Sequence, residues 1–402
     1  MADGAASAPF LAYGRQHIDE SDIAAVAEAL RGDYLTTGPT VAAFEAAVAR
    51  AVDAPEAVAC SNGTAALHLA VMAAGLKPGD LAVVPAITFA ATANACAYQG
   101  ADVLFADVDP STGRMTGATL AEALARADRP VRAILPVHLG GHAVEMAEVR
   151  AQAEGIGAVV IEDACHALGT ETPSGQIGAC PDSLMACFSL HPVKTLTTGE
   201  GGVITTRDPE LAARMRRLRS HGMERDPAQF LDREAGFDGD VPNPWWHEQQ
   251  DLGFNYRLPD VLCALGLSQL KRLPDFIARR RRLAALYAEA LAPLAPAVRL
   301  VQGTSGTLPA LHLLQVLIDF EGAGLTRRRL MERLHARGIG AQVHYIPVHR
   351  HPYWRARNGE TRLPGAESFY DRTLSLPLHY NMTEADPARA AAALAEVLGV
   401  RP

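Results

Sequence analysis

Lys194 is one of only three lysines in a chain whose other 34 basic residues (37 − 3) are arginine. Arginine keeps its proton at any pH a protein meets, whereas lysine can lose it and become a nucleophilic amine. Where arginine serves every generic cationic need, each lysine is informative. Lys77 stands in a Leu-Lys-Pro-Gly-Asp turn and Lys271 in a Gln-Leu-Lys-Arg-Leu helical run, both ordinary surface settings. Lys194 instead follows an apolar strand in Phe188-Ser189-Leu190-His191-Pro192-Val193-Lys194 and precedes the turn Gly199-Glu200-Gly201-Gly202.

Two other segments offer complementary groups. In Val159-Val160-Ile161-Glu162-Asp163-Ala164-Cys165-His166-Ala167 an apolar strand delivers Asp163 to its end. A buried carboxylate there needs a cationic or donor partner, and a protonated pyridine nitrogen would be one, held protonated by the pairing. In Cys60-Ser61-Asn62-Gly63-Thr64-Ala65-Ala66 a strand turns into a helix, and the amides of Thr64 and Ala65 at the helix start suit a phosphate. Singly, these segments read as well as a capped helix and a structural aspartate. Together, an amine, a carboxylate and a phosphate cradle at one sheet edge meet the needs of pyridoxal 5′-phosphate.

The elements that must position these groups are legible from periodicity. Apolar runs at 57–60, 81–84, 103–105, 133–135, 159–162, 185–189 and 203–205 read as strands. They alternate with helical patterns at 22–31, 40–51, 64–74, 88–99 and 143–154, several of them stopping at a glycine. Continuous apolar strands interleaved with helices imply a mainly parallel sheet covered on both faces, an α/β fold. From 222 to 250 the pattern gives way to a Pro-, Gly-, Asp- and aromatic-rich stretch, long enough to be a functional or partner-contacting arm. Helices then follow at 259–272, 274–291, 325–337 and 385–398, with strand-like runs at 311–319 and 341–346. This predicts a large α/β domain over 1–250 and a smaller α+β domain over 251–402.

Composition narrows the function. The 402 residues carry a net charge of −8 with no long run of either sign, which argues against nucleic acid as the main partner. The apolar stretch from Leu81 to Tyr98 is broken by Pro85, Thr88, Thr92 and Asn94, so no membrane segment is expected. The start of the chain lacks a basic region before Arg15, and the six cysteines show no paired spacing, so a cytoplasmic protein with reduced thiols is expected. The histidine pairs 138/142 and 349/351 have ligand spacing but no supporting cluster, so no metal is expected. Arg279 to Arg282 sit on one helix and point around it, which predicts a solvated face.

The chain resembles the DegT/DnrJ/EryC1/StrS sugar-nucleotide aminotransferases, of the aspartate-aminotransferase-like (type I) fold, over about residues 10–400. The resemblance rests on Leu35-Thr36-Thr37-Gly38-Pro39, the Ser61–Ala66 run, Glu162-Asp163-Ala164, His191-Pro192-Val193-Lys194, Gly199-Glu200-Gly201-Gly202 and Gly253-Phe254-Asn255-Tyr256-Arg257. It implies that Lys194 holds pyridoxal 5′-phosphate as a Schiff base and that Asp163 pairs with the ring nitrogen. It further implies that Phe89 stacks on the ring, that His166 lies near the ring hydroxyl, and that Thr64, Ala65 and Ser189 bind the phosphate. Asn255 would join them from the other subunit of a homodimer with shared active sites. Family members that dehydrate their substrate carry histidine where this chain has Lys194, so the lysine implies amino transfer from L-glutamate to a keto-sugar nucleotide. Arg219–Met223, Ala264–Leu270, Gly340–Tyr345, Ala366–Tyr370 and Leu376–His379 are most similar to the pseudaminic acid branch, which aminates C4 of a UDP-linked 4-keto-6-deoxy-HexNAc. Thr37, His344 and Tyr345 are the substrate-site residues on that reading. Amination of a GDP- or dTDP-linked keto-sugar, and a non-catalytic cofactor- or sugar-binding regulator, are the alternatives.

Overall fold

The computed structural model describes residues 9–400, so part of the stretch read for a leader lies outside the described residues. Seven strands build the main sheet: β1 (Glu56–Cys60), β2 (Leu81–Pro85), β3 (Asp102–Ala106), β4 (Val131–Ile134), β5 (Val159–Asp163), β6 (Met185–Ser189) and β7 (Gly202–Thr206). Their order across the sheet is β1-β7-β6-β5-β4-β2-β3. β7 runs antiparallel to both neighbours, β1 and β6, and the remaining pairings are parallel. The near-continuous apolar strands follow from this placement, since both faces are covered.

The helices of the first half are α1 (Glu20–Arg31), α2 (Pro39–Ala51), α3 (Gly63–Ala73), α4 (Ala90–Tyr98), α5 (Gly117–Ala125), α6 (Met146–Ile156) and α7 (Pro209–Leu218). α3 is apolar almost all round: every residue from Ala65 to Ala73 is buried. Its alanines at 65, 66, 70 and 73 let it lie deep against β6 and β7. That depth points its N-terminus at the carboxyl edge of the sheet. α6 differs from the expected 143–154: it begins at Met146 and runs through Gly155 to Ile156. The residue that stops it is Gly157, in the left-handed region at φ 68°, where a side chain would be strained.

A second sheet, β8 (Val298–Leu300), β9 (Leu314–Ile318) and β10 (Thr373–Leu376), is antiparallel with β9 at its centre. Its core is shared with α8 (Asp260–Leu270) excluded and with α9 (Leu273–Leu291), α10 (Arg327–Ala336) and α11 (Asp386–Leu398) included, through Leu283, Tyr287, Leu330, Leu334 and Leu394. α8 packs instead on α1 and α2. The N-terminal turns of α9 bury Leu273, Phe276 and Ile277 in the core that contains Phe44 and Phe188 of the first half. The strand expected at 341–346 is reduced to a single bridge, Gln342 with Ser375, after which His344 and Tyr345 leave the sheet. Arg280 corrects the expected solvated face, being 2% exposed in the middle of α9.

The 222–250 stretch is folded rather than patternless. Met223–Glu224 pairs with Glu248–Gln249 as a stem, and Phe237–Asp238 pairs with Val241–Pro242 as a short hairpin. The Glu248 carboxylate organises it, accepting bonds from the amides of Leu231 (2.8 Å) and Asp232 (2.9 Å), from Trp246 Nε1 (3.2 Å) and from Gln250 Nε2 (3.0 Å). Partial desolvation opposes its ionisation, yet those four donors hold its pKa down at about 2. Leu231, Val241 and Trp245 remain exposed on the arm.

Candidate active site

The carboxyl ends of β5 and β6 and the start of α3 open onto a cleft of about 940 Å³. Asp163 ends β5 and is 5% exposed. Its amide donates to Pro136 O (2.8 Å), and the Cys165 amide donates to Oδ1 (3.1 Å). Thr92 Oγ1 donates to Oδ2 (2.6 Å), with Thr88 Oγ1 2.7 Å behind it. Its two donors, one hydroxyl and one backbone amide, are neutral, and no ion pair among the described residues holds it, so the carboxylate is suited to a protonated ring nitrogen. Next door on β5, Glu162 points to the other side, where His138 Nε2 donates to it at 2.7 Å and Ser183 also donates.

Lys194 stands in the β6–β7 connection, its amide donating to His191 O (2.9 Å) and its side chain lining the same cleft as Asp163. Burial lowers the pKa of its amine, while Cys165 and Asp163 pull it back up. The balance leaves more of the neutral, nucleophilic form than a surface lysine would show.

The start of α3 forms another part of the cleft lining. Asn62 caps the helix, its Oδ1 accepting the Ala65 amide at 2.8 Å. Of the two amides expected to face a phosphate, that of Ala65 is therefore occupied by the cap, and that of Thr64 has no intramolecular acceptor among the described residues. A Cβ on Gly63 would lie 2.8 Å from Ser189 Cβ, 3.1 Å from its Oγ and 3.3 Å from Cys165 Sγ, so only glycine leaves this floor open. The open floor, the helix-start amides and the Ser189 hydroxyl fit a phosphate. Phe89 flanks the cleft at the start of α4, 57% exposed, with its ring 5.9 Å from that of Tyr345.

His166 lies across from Lys194. The Gly140 amide donates to its Nδ1 (3.2 Å), which places the proton of the neutral ring on Nε2, 3.1 Å from Tyr345 Oη. Tyr345 accepts that proton and keeps its own for a ligand. Burial holds His166 neutral, its pKa well below the usual histidine value, reinforced by Lys194 and His344. Burial likewise raises the Tyr345 pKa, with Asp163, Cys165 and Tyr13 adding to it, so the phenol stays protonated as a donor. His344 also lines the cleft, with Nδ1 2.8 Å from Ser375 Oγ, and burial lowers its pKa to about 4.

Thr37 and Asn255 do not line the cleft of this chain. Thr37 is exposed, in the left-handed region at φ 61°. Asn255 sits between Phe254 and Tyr256, which stack at 4.9 Å and both face the cleft, so alternation along the extended segment turns Asn255 outward. The structure adds two residues that the sequence did not single out: Thr92, buried behind the cleft wall against Asp163, and His312, on the wall itself. Thr92 carried a signal, its four-residue spacing from Thr88 within the helical pattern 88–99. His312, whose ring packs 4.5 Å from His166, carried none. Among the described residues no group of three or more His, Cys, Asp or Glu is arranged to hold a metal ion.

A mainly parallel seven-stranded sheet with a lysine and an aspartate at its carboxyl edge defines a pyridoxal-phosphate enzyme of the aspartate-aminotransferase fold. The chain belongs to the DegT/DnrJ/EryC1/StrS aminotransferase family, whose model matches residues 16–395, and it is a pyridoxal 5′-phosphate-dependent sugar aminotransferase. It is 37% identical over 380 residues to the spore coat polysaccharide biosynthesis protein SpsC of Bacillus subtilis, covering 94% of each chain. It is 36% identical over 399 residues to the UDP-4-amino-4-deoxy-L-arabinose–oxoglutarate aminotransferase of Shewanella sediminis, covering 97% of this chain and 98% of that one. Among solved structures, Helicobacter pylori PseC, an aminotransferase of pseudaminic acid biosynthesis, superposes with a TM-score of 0.87 at 28% identity, covering 97% and 99%. No helix of the described residues is long and apolar enough to cross a membrane.

Proposed function

We propose that this chain transfers the amino group of L-glutamate to C4 of a UDP-linked 4-keto-6-deoxy-HexNAc, as in pseudaminic acid biosynthesis, within the cytosol. The observation that carries the amino-transfer reading is the placement of Lys194 and Asp163 on one cleft together with the open floor at Gly63. The sugar assignment draws support from the likeness to PseC. The name of the Shewanella relative favours a second reading, a UDP-linked 4-keto-pentose, which shares the nucleotide and the ring position.

Bound in the cleft, the cofactor supplies an aldehyde for the amine and an electron-withdrawing ring for the adjacent carbon. Lys194 Nζ holds it covalently and, once released, moves a proton between carbon centres as a neutral base. Asp163 holds the proton on the ring nitrogen, and Thr92 keeps the carboxylate oriented. The Thr64 amide and Ser189 hydroxyl hold the phosphate, and Ala65 joins them only by sharing the proton now given to Asn62. Phe89 covers one ring face. His166 and Tyr345 present a polarised phenol proton to the ring hydroxyl or the sugar, with His344 beside them.

Asn255 serves the phosphate from a second copy, since it faces away from its own cleft, and Thr37 reaches a sugar site only across the same interface. A homodimer with shared active sites follows from that reading. For the domains we propose the division into 1–250 and 251–402, with Leu258, Cys263, Leu273, Phe276 and Ile277 of the second packing back onto the core of the first.

The test is incubation of the purified enzyme with L-glutamate and a panel of UDP-, GDP- and dTDP-linked 3- and 4-keto sugars, with products identified by mass spectrometry and NMR. Amination at C4 of the UDP-HexNAc substrate is expected. Preference for the pentose supports the second reading, and preference for GDP- or dTDP-sugars overturns both. A cofactor band that glutamate leaves unmoved points to a non-catalytic binder.

A further inference from the structure

Arg280 differs from the three arginines around it. Arg279 and Arg282 reach Glu384, and Arg281 reaches Glu171, all at the surface. Arg280 turns inward and meets carbonyls instead of a carboxylate. Its Nη1 donates to Leu378 O (2.9 Å), Leu311 O (3.3 Å) and His312 O (3.3 Å), and its Nη2 approaches Lys194 O at 3.5 Å.

Those carbonyls come from three separate segments: the β6–β7 connection, the approach to β9 and the chain just after β10. Two of them carry a cleft group within the clamped residue itself, the Lys194 amine and the His312 ring, and the latter packs on His166. A guanidinium buried without a counter-charge is costly unless several dipoles converge on it. The native arrangement is thus the one in which the three segments approach together. Lysine could not replace this function fully, because an ammonium is a single point of donation and cannot span carbonyls on different sides.

We propose that Arg280 is a positioning residue that fixes the Lys194 backbone relative to the His312–His166 wall of the cleft, and so sets where the amine meets its reaction partner. This rests on the reading of Lys194 as the amine that carries the cofactor.

The test compares Arg280→Met and Arg280→Lys with wild type. In the cofactor-loaded enzyme, kcat of the Met variant is expected to fall on the order of 100-fold with KM for glutamate nearly unchanged, the signature of a misplaced reacting group. In the cofactor-free protein, hydrogen exchange at amides 193–198 and 311–313 is expected to rise at least about 10-fold while β2 and β3 stay protected. The Lys variant should recover part of both effects. Wild-type kcat with unchanged local exchange overturns the proposal. So does exchange that rises evenly along the chain while kcat per bound cofactor stays at the wild-type value, because that marks a purely structural arginine. Should the Met variant fail to fold, the Lys variant decides alone: wild-type kcat and exchange in it overturn the proposal. Failure of the underlying reading is separate, since it appears as turnover retained by Lys194→Ala and leaves the exchange result standing.

Discussion

Thr92 Oγ1 donates to Asp163 Oδ2 across 2.6 Å, and Thr88 Oγ1 supports it from 2.7 Å, so one hydroxyl in the first turn of α4 and one just before it tune the carboxylate that ends β5. A hydrogen bond to a charged group contributes about 1.5–3 kcal/mol. Removing it in Thr92→Val makes Asp163 more basic, draws the ring proton toward the carboxylate and weakens the electron sink. Turnover should fall by about 10-fold, equivalent to ~1.4 kcal/mol on the barrier, with cofactor still bound. Stopped-flow rates of the glutamate half-reaction check this, and an unchanged rate excludes a role for the relay.

Lys194→Ala should fold normally and lose turnover by on the order of 10⁴-fold, because both the covalent anchor and the mobile base are gone. Circular dichroism and product assay together check this. Retained turnover removes the basis of the proposed function.

Tyr345→Phe leaves the His166 Nε2 proton without its acceptor and the cleft without its free phenol proton. KM for the keto-sugar nucleotide should rise by about 10-fold, the loss of roughly one good hydrogen bond. The bleaching of the visible cofactor band by glutamate should keep its rate. A change confined to the glutamate step would assign the phenol to the cofactor rather than to the sugar.

Acid should destabilise the cofactor-free protein well before its carboxylates titrate. Burial lowers the pKa of His68, His344 and His379 to about 4 and that of His142 to about 3, whereas in the unfolded chain they titrate near 6.5. Between those values the unfolded chain binds more protons, so stability is full above about 6.5 and is lost as pH falls toward 4. Each such histidine contributes up to about 1.4 kcal/mol per pH unit. Denaturant midpoints measured from pH 7 to pH 5 should fall steeply, and a flat profile would show that these rings are solvated. The slope should shallow in His142→Phe.

Glu248→Ala removes the acceptor that ties together both ends of the 222–250 arm. Limited proteolysis within 225–247 should accelerate by about 10-fold while the melting temperature of the body is unchanged, because the arm buries little of the main core. Cleavage at the wild-type rate would mean that the stem strands alone hold the arm.

Much of the frame was legible because its signals are local. All seven main strands sit within two residues of their apolar runs, and Lys194 and Asp163 stand out through residue type and placement after a strand. What escaped depends on tertiary geometry. Gly155 reads as a helix stop, but a glycine costs a helix only about 1 kcal/mol, and α6 overrides it to end two residues later. The 341–346 run has strand composition, yet only Gln342 finds a partner, because the chain departs to deliver His344 and Tyr345 to the cleft. Arg280 is hidden by its neighbours: four consecutive arginines look alike until the helix phase and the carbonyls around one of them are known. Asn255 turns away from the cleft that Phe254 and Tyr256 line, a direction that residue type alone does not carry.

The reversed direction of β7 decides where Lys194 can be. Because β7 descends beside β6, the twelve intervening residues, 190–201, leave and re-enter the sheet on the same rim. Parallel neighbours would have demanded a crossover, carrying that stretch over one face to the far border. The short return trip keeps Lys194 tethered at both ends beside Asp163, and it makes that hairpin a junction where lengthening the chain would directly loosen the amine from the rim.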